Sequence, residues 1–193
     1  MSPRVSDVSL ESFHRIPVEC QTALYWEFLA DADAEDARFQ KEEWFSSTLL
    51  EWGTCGKLIV EDDEVLGFAQ YAPATLFARL TEFPTGEVSD DAVYLGYCYL
   101  DANARGRGLG RRLIGAVARD IVERGNRALE AIGDREWDGG WILPAQFLGA
   151  SGFAVLKDDP RYPLLRLDTR EEHAPLEAME RAEVEVPVAD AIE

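Results

Sequence analysis

The chain has 193 residues, 47% of them hydrophobic, and a formal charge of −18. That size suits a single domain with a sizeable core, and no run of about 18 apolar residues is present to span a membrane. The negative charge repels a nucleic-acid backbone, the three scattered cysteines (Cys20, Cys55, Cys98) form neither a disulfide framework nor a zinc pattern, and "MSPRVSDVSLESF" lacks a signal-peptide core, so no nucleic acid, membrane or metal partner and a cytoplasmic location are expected.

Residues 1–21 have no clear period. "TALYWEFL" (Thr22–Leu29) is rich in strand-favouring residues and reads as a strand. Asp31–Trp52 is a predicted helix with acidic first turns, as the helix dipole favours, and with Phe45, Leu49 and Trp52 on one face. Lys57–Asp62 and Glu64–Ala72 form a predicted hairpin around Asp62 and Asp63. Pro73–Asp91 is a long connection of the kind that often carries function. Ala92–Leu100, "AVYLGYCYL", is a strong strand. From Arg111, the residues Leu113, Ile114, Val117 and Ile121 repeat at helical spacing, and Gly125 closes that helix. Arg127–Asp134 reads as a strand, and "DREWDGGW" as a turn-rich loop whose Trp137 and Trp141 line a pocket. Trp26, Trp44 and Trp52 are expected in the core. Pro144–Ser151 is a short helix with proline at its start and Gly152 past its end, followed by strands Phe153–Lys157 and Tyr162–Asp168. The composition places one domain over 1–168 and a flexible acidic tail over 169–193. Strand, helix, hairpin, strand, helix, strand, helix and strand pair give a mixed α/β sheet with helices on its faces.

Between the Ala92–Leu100 strand and the next helix stands "RGRGLGRR", a positive spot in an acidic chain. It has no Lys-Ser or Lys-Thr for a P-loop, and the third glycine of GxGxxG is Arg111 or Leu113, according to the starting position. It does match [Q/R]xxGx[G/A], through Arg105, Gly108 and Gly110. Glycines let the backbone approach a pyrophosphate, the helix N-terminus adds partial positive charge, and the arginines add charge-assisted hydrogen bonds.

With these residues, "YLGYCYLDANARGRGLGRRLIGAVARDI" resembles the central acyl-CoA motif of the GNAT superfamily of N-acetyltransferases. "PAQFLGASGFAVLKDDPRYPLLRLD" is similar to that family's closing segment, and the likeness runs from Leu58 to Asp168. It implies an α+β fold with a mostly antiparallel sheet of about six to seven strands and helices on both faces. It also implies acetyl-CoA as co-substrate without a metal, a primary amine on a small molecule or peptide as acceptor, and a possible homodimer. Cys98, Tyr99 and Leu100 would hold the pantetheine arm. Arg105, Gly106, Arg107, Gly108, Leu109 and Gly110 would cradle the pyrophosphate, with Arg111 in the first helical turn.

Attack of a neutral amine on the thioester needs a proton acceptor, an oxyanion donor and a proton for the thiolate. A backbone N–H of the Ala92–Leu100 strand is the expected oxyanion donor. Glu130 is the candidate base and Asp134 the second choice. The family's NxxAxxxYxxxGF pattern puts Trp141, Pro144 and Leu148 at the Asn, Ala and Tyr positions, so the usual acid is missing and Tyr97 and Tyr162 are the substitutes. The same pattern keeps open a non-catalytic acyl-CoA-binding or regulatory module. His14 and His173 are expected to be structural or solvated, and Cys98 a small strand residue.

Overall fold

The computed structural model describes residues 2–30 and 34–169. Its eight strands are β1 (Arg4–Asp7), β2 (Gly56–Glu61), β3 (Glu64–Ala72), β4 (Ala92–Leu100), β5 (Ala128–Asp134), β6 (Leu143–Pro144), β7 (Ala154–Lys157) and β8 (Leu164–Asp168). They lie in the order β1-β2-β3-β4-β5-β8-β7, with β6 beside β5. The helices are α1 (Val18–Gln21), α2 (Ala34–Trp52), α3 (Leu109–Glu123) and α4 (Ala145–Ala150). Among the described residues no helix is long and apolar enough to cross a membrane.

Strand alternation puts helices on both faces. Phe68 of β3 packs against Phe45 of α2, with ring centroids 5.9 Å apart. Its neighbour Gly67 faces the other way, where a Cβ would stand 3.3 Å from Leu113 of α3. The apolar period read in α3 is its buried face, including Leu113, Ile114, Val117 and Ile121. The β2–β3 hairpin turns on Asp62 and Asp63, both at positive φ (48° and 66°), as a type I′ turn requires.

Every pairing is antiparallel except β4–β5 and β5–β6. The β4–β5 ladder is short: Ala92, Val93 and Tyr94 pair with Ala128, Leu129 and Glu130. Beyond Tyr94, β4 stays with β3 while β5 continues along β8, so the sheet splits. At the same place Tyr97 opposes Gln70 and Leu95 opposes Tyr71, which leaves Gly96 as a bulge. A bulge bends its strand and sharpens the twist. A Cβ on Gly96 would come within 3.1 Å of the Phe77 ring, so the bend relies on glycine to admit that ring.

Two expectations change. Thr22–Leu29 is an irregular segment and not a strand. Its aromatic content serves packing: Trp26 is buried and meets Tyr94 edge-on. Its carbonyls are satisfied by long cationic side chains instead of a ladder. Arg79 donates to the carbonyls of Tyr25, Phe28 and Leu29, and Lys41 donates to that of Ala23. The start of the acidic tail also moves. Thr169 is buried, and both its N–H and its hydroxyl donate to the Arg127 carbonyl (2.9 and 2.7 Å). The rest of the tail, with His173, lies outside the described residues.

A polar knot ties α3 to β2 and β3. Asp120 accepts from Lys57 (2.9 Å), Tyr71 (2.9 Å) and Arg124 (2.6 Å). Burial alone pushes its carboxyl up, but the bonds from Arg124, Lys57 and Tyr71 outweigh it and hold the group below the usual carboxylate range. A carboxyl depressed in the folded state stabilises above its unfolded pKa of about 3.9, and the gain is lost as pH falls through the folded value. Asp120→Asn is therefore expected to lower unfolding free energy by about 1–3 kcal/mol at neutral pH. The gap to the parent should shrink as pH falls below about 4, as read by urea unfolding across that range.

Candidate functional site

The turn after β4 is built for an anion. Asp101 accepts from the Asn103 N–H (2.8 Å) and starts a 3₁₀ turn over Ala102–Ala104. Gly106 and Gly108 both take φ of 75°, in the left-handed region that favours glycine. Gly108 is the N-cap of α3, and no side chain caps it. The first amides of the helix are thus left for a ligand, in a place where the dipole favours negative charge. A Cβ on Gly106 would enter open space. Gly110 has a different reason: a Cβ there would lie 3.0 Å from the Phe147 ring, so this glycine lets α4 close on α3.

From this turn a cavity of about 830 Å³ runs along β4 into the split in the sheet. Of the expected cofactor residues, Cys98, Tyr99, Leu100, Arg105, Gly106, Gly108, Leu109, Gly110 and Arg111 line it. Arg107 does not. Its guanidinium pairs with both oxygens of Glu61 on β2, each at 2.9 Å. Glu61, far away in sequence, draws this guanidinium aside from the cavity. Trp137 and Trp141 line the cavity as expected, and the roof is completed by Gly139, Gly140 and β6. On α4, Phe147, Ala150 and Ser151 face the cavity. The hydroxyl of Ser151 is buried, and among the described residues it has no partner, which leaves it able to bond a water or a ligand atom.

The expected catalytic residues separate. Tyr97 lines the cavity, and its hydroxyl donates to the Cys20 carbonyl at 3.4 Å. Burial raises its phenol well above the ordinary value, so the hydroxyl stays protonated. Tyr162 lies outside the cavity, packed edge-on against Phe83. Glu130 is fully buried, also outside the cavity. Its carboxylate accepts from Arg166 (2.9 Å) and from the Ser89 N–H (3.0 Å). Asp134 accepts from the Glu136 N–H (2.8 Å) and pairs with Arg161 (3.4 Å). Both carboxylates therefore serve the structure: a strand position beside the split does not aim a side chain into it. Leu148, at the family's Tyr position, is buried and does not line the cavity. His14 is exposed. Burial pushes the Cys98 thiol up to about 12, so it is not an activated nucleophile.

The pairing of Glu130 gives a clear expectation. Glu130→Gln should leave acetyl-CoA affinity and any turnover within about twofold while lowering stability by about 1–3 kcal/mol, because it weakens the bond to Arg166. Calorimetric titration and urea unfolding of the same preparation read the two effects.

Sequence reasoning missed Glu19, which also lines the cavity, from α1. It stands in a stretch with no readable period.

A family model described as the acetyltransferase (GNAT) family matches residues 18–137. No match is found among curated proteins. Among solved structures, a PaiA N-acetyltransferase of Thermoplasma acidophilum, in complex with coenzyme A, superposes with a TM-score of 0.59 at 14% identity. The match covers 87% of this chain and 99% of that one. YncA of Salmonella typhimurium, solved with its cofactor acetyl-CoA, gives 0.58 at 14% identity over 91% and 98% of the two chains. The ribosomal-protein-S18-alanine N-acetyltransferase of Escherichia coli gives 0.52 at 14% over 90% and 97%. At these identities the likeness is one of fold.

Proposed function

Because the chain belongs to the GNAT family of acetyltransferases, we propose that it transfers an acetyl group from acetyl-CoA to a primary amine by direct attack in a ternary complex. The observation that carries this reading is the single cavity joining the glycine–arginine turn to the split between β4 and β5. Acetyl-CoA supplies an activated acyl group there, and this chain's residues fit it. The uncapped amides of α3, with Arg105 and Arg111, suit a pyrophosphate. The backbone of Cys98–Leu100 offers groups that no β5 residue pairs. The orphan hydroxyl of Ser151 offers one more bond.

In the transfer, the amine nitrogen forms a bond to the thioester carbonyl carbon, and the carbon–sulfur bond breaks. The ammonium gives up two protons: one passes to solvent water before attack, and the other restores Tyr97 after its hydroxyl proton has gone to the thiolate, so the products are amide, thiol and one released proton. A β4 backbone N–H at the bulge takes the role of oxyanion donor. Tyr97, the one cavity-lining member of the four expected catalytic side chains, takes that of proton donor to the thiolate.

A second reading, an acyl-CoA-binding module without turnover, is favoured by Leu148 in place of the family's Tyr. Calorimetric titration with acetyl-CoA, followed by thiol release over a panel of amines, separates the readings. Binding with amine-dependent thiol release supports the transferase. Binding with release equal to the blank supports the module, and no binding overturns both.

A further inference from the structure

Among the described residues, the lining of the cavity holds three charged side chains. Arg105 and Arg111 belong to the turn, and Glu19 is the sole carboxylate in the lining. Glu19 is exposed, and among the described residues no side chain donates to its carboxylate. The next residue is tied to β4: the Cys20 carbonyl accepts from Tyr97. The Tyr97 ring meets Trp141 edge-on at 5.6 Å. The carbonyl of Trp141 accepts from the Trp26 indole (3.3 Å), and the Trp137 indole donates to the Gly140 carbonyl (3.3 Å). Glu19, Tyr97, Trp141 and Trp137 therefore share the lining of one cavity: a carboxylate side chain together with three ring systems. Trp137 and Trp141 keep 45% and 37% of their surface exposed, a large area of indole left for something to cover.

We infer that this lining selects an amine whose ammonium meets Glu19 and whose body is apolar and ring-bearing, with no carboxylate beside the nitrogen. The inference rests on the acetyl-transfer reading and names its acceptor class. An ammonium gains a charge-assisted hydrogen bond from Glu19 and attraction from the ring faces. An apolar body gains by covering Trp137 and Trp141. A carboxylate on the same carbon would stand against Glu19 and lose that gain, which excludes free amino acids. A polyamine has no apolar body to cover the indoles and forgoes that part of the gain. The net charge of −18 draws cations toward the mouth from a distance.

Glu19 is assigned as a binding residue, so its loss should act on KM far more than on kcat. The test uses the full chain with 2-phenylethylamine, phenylalanine (the same ring plus a carboxylate) and spermidine. Three quantities are measured: acetyl-CoA affinity, thiol release, and amine binding to the CoA-saturated protein by quenching of tryptophan fluorescence. The expected result is binding and acetylation of 2-phenylethylamine at least about tenfold better than of the other two, the scale of one charge-assisted bond. Glu19→Gln should raise KM and Kd for 2-phenylethylamine about tenfold, with acetyl-CoA affinity changing by less than about threefold. Trp141→Ala should weaken the same amine without changing its rejection of the carboxylate.

A preference for phenylalanine or spermidine, or a Glu19→Gln protein with unchanged KM and Kd, overturns the inference while acetyl transfer stands. Binding of 2-phenylethylamine that depends on Glu19 but gives no thiol release keeps the binding assignment and overturns the transferase reading. A protein that binds neither acetyl-CoA nor the amine overturns both.

Discussion

Lys41→Met is expected to lower the unfolding free energy by about 3–5 kcal/mol, a fifth or more of the roughly 5–15 kcal/mol that a domain possesses. Lys41 and Gln70 are fully buried and Glu27 nearly so. The ammonium of Lys41 pairs with Glu27 and donates to the Gln70 side-chain oxygen (2.7 Å) and the Ala23 carbonyl (2.6 Å). Gln70 donates back to Glu27 at 2.6 Å. Removing the cation leaves a buried carboxylate uncompensated, together with two acceptors that no longer have their donor. The double variant Lys41→Met/Glu27→Met should recover most of the loss, because apolar replacement of a whole buried pair is often close to neutral. Denaturant unfolding of the parent, both single variants and the double variant closes the cycle. A single-variant loss under about 1 kcal/mol would mean that the pair is not buried in solution. The same network reaches the site: Lys41 lies 5.4 Å from the centroid of the Tyr97 ring.

Gly108→Glu is expected to reduce acetyl-CoA affinity by about a hundredfold or more, while the chain still folds. At φ of 75° any L-residue costs about 1–2 kcal/mol. The new carboxylate recovers part of that by sitting at the N-terminus of α3, where negative charge is stabilising. This is also why it blocks the ligand: it takes the uncapped amides for itself and repels a pyrophosphate. Gly125→Glu is the control. Gly125 has φ of 86°, lies beyond the far end of α3 and does not line the cavity, so it carries similar backbone strain with acetyl-CoA binding preserved. Equal loss of binding in both variants would show that strain, and not the site, is responsible.

Where the sequence was legible, the chemistry was local. Ala92–Leu100 is an unbroken apolar run and forms β4 over those same residues. The α3 period and the left-handed glycines of the turn depend on neighbours within a few positions. What escaped depends on distant partners. Thr22–Leu29 has strand-like composition, but side chains of Arg79 and Lys41 supply its hydrogen bonds, so composition misleads. Lys41 sits on the buried face of α2 while Leu50 is exposed, which blurs the helical period. Arg107 and Arg111 look alike in sequence, yet Glu61 removes one of them from the cavity. Glu130 is placed beside the split by its strand, but the direction of its side chain is set by Arg166 on β8. Glu19 carries no signal until Tyr97 and Trp141 are brought beside it.

Splitting the sheet gives this protein a third edge. A sheet ordinarily has two outer borders, here β1 and β7, and each is a template on which another chain can add. The stretch of β4 beyond Tyr94 is a border as well, but it lies inside the molecule and is roofed by residues 139–144. The N–H and C=O groups along that border that no β5 residue pairs lie beside the cavity. The split thus carries the chemistry of strand addition into the interior, where a ligand rather than a strand can meet it.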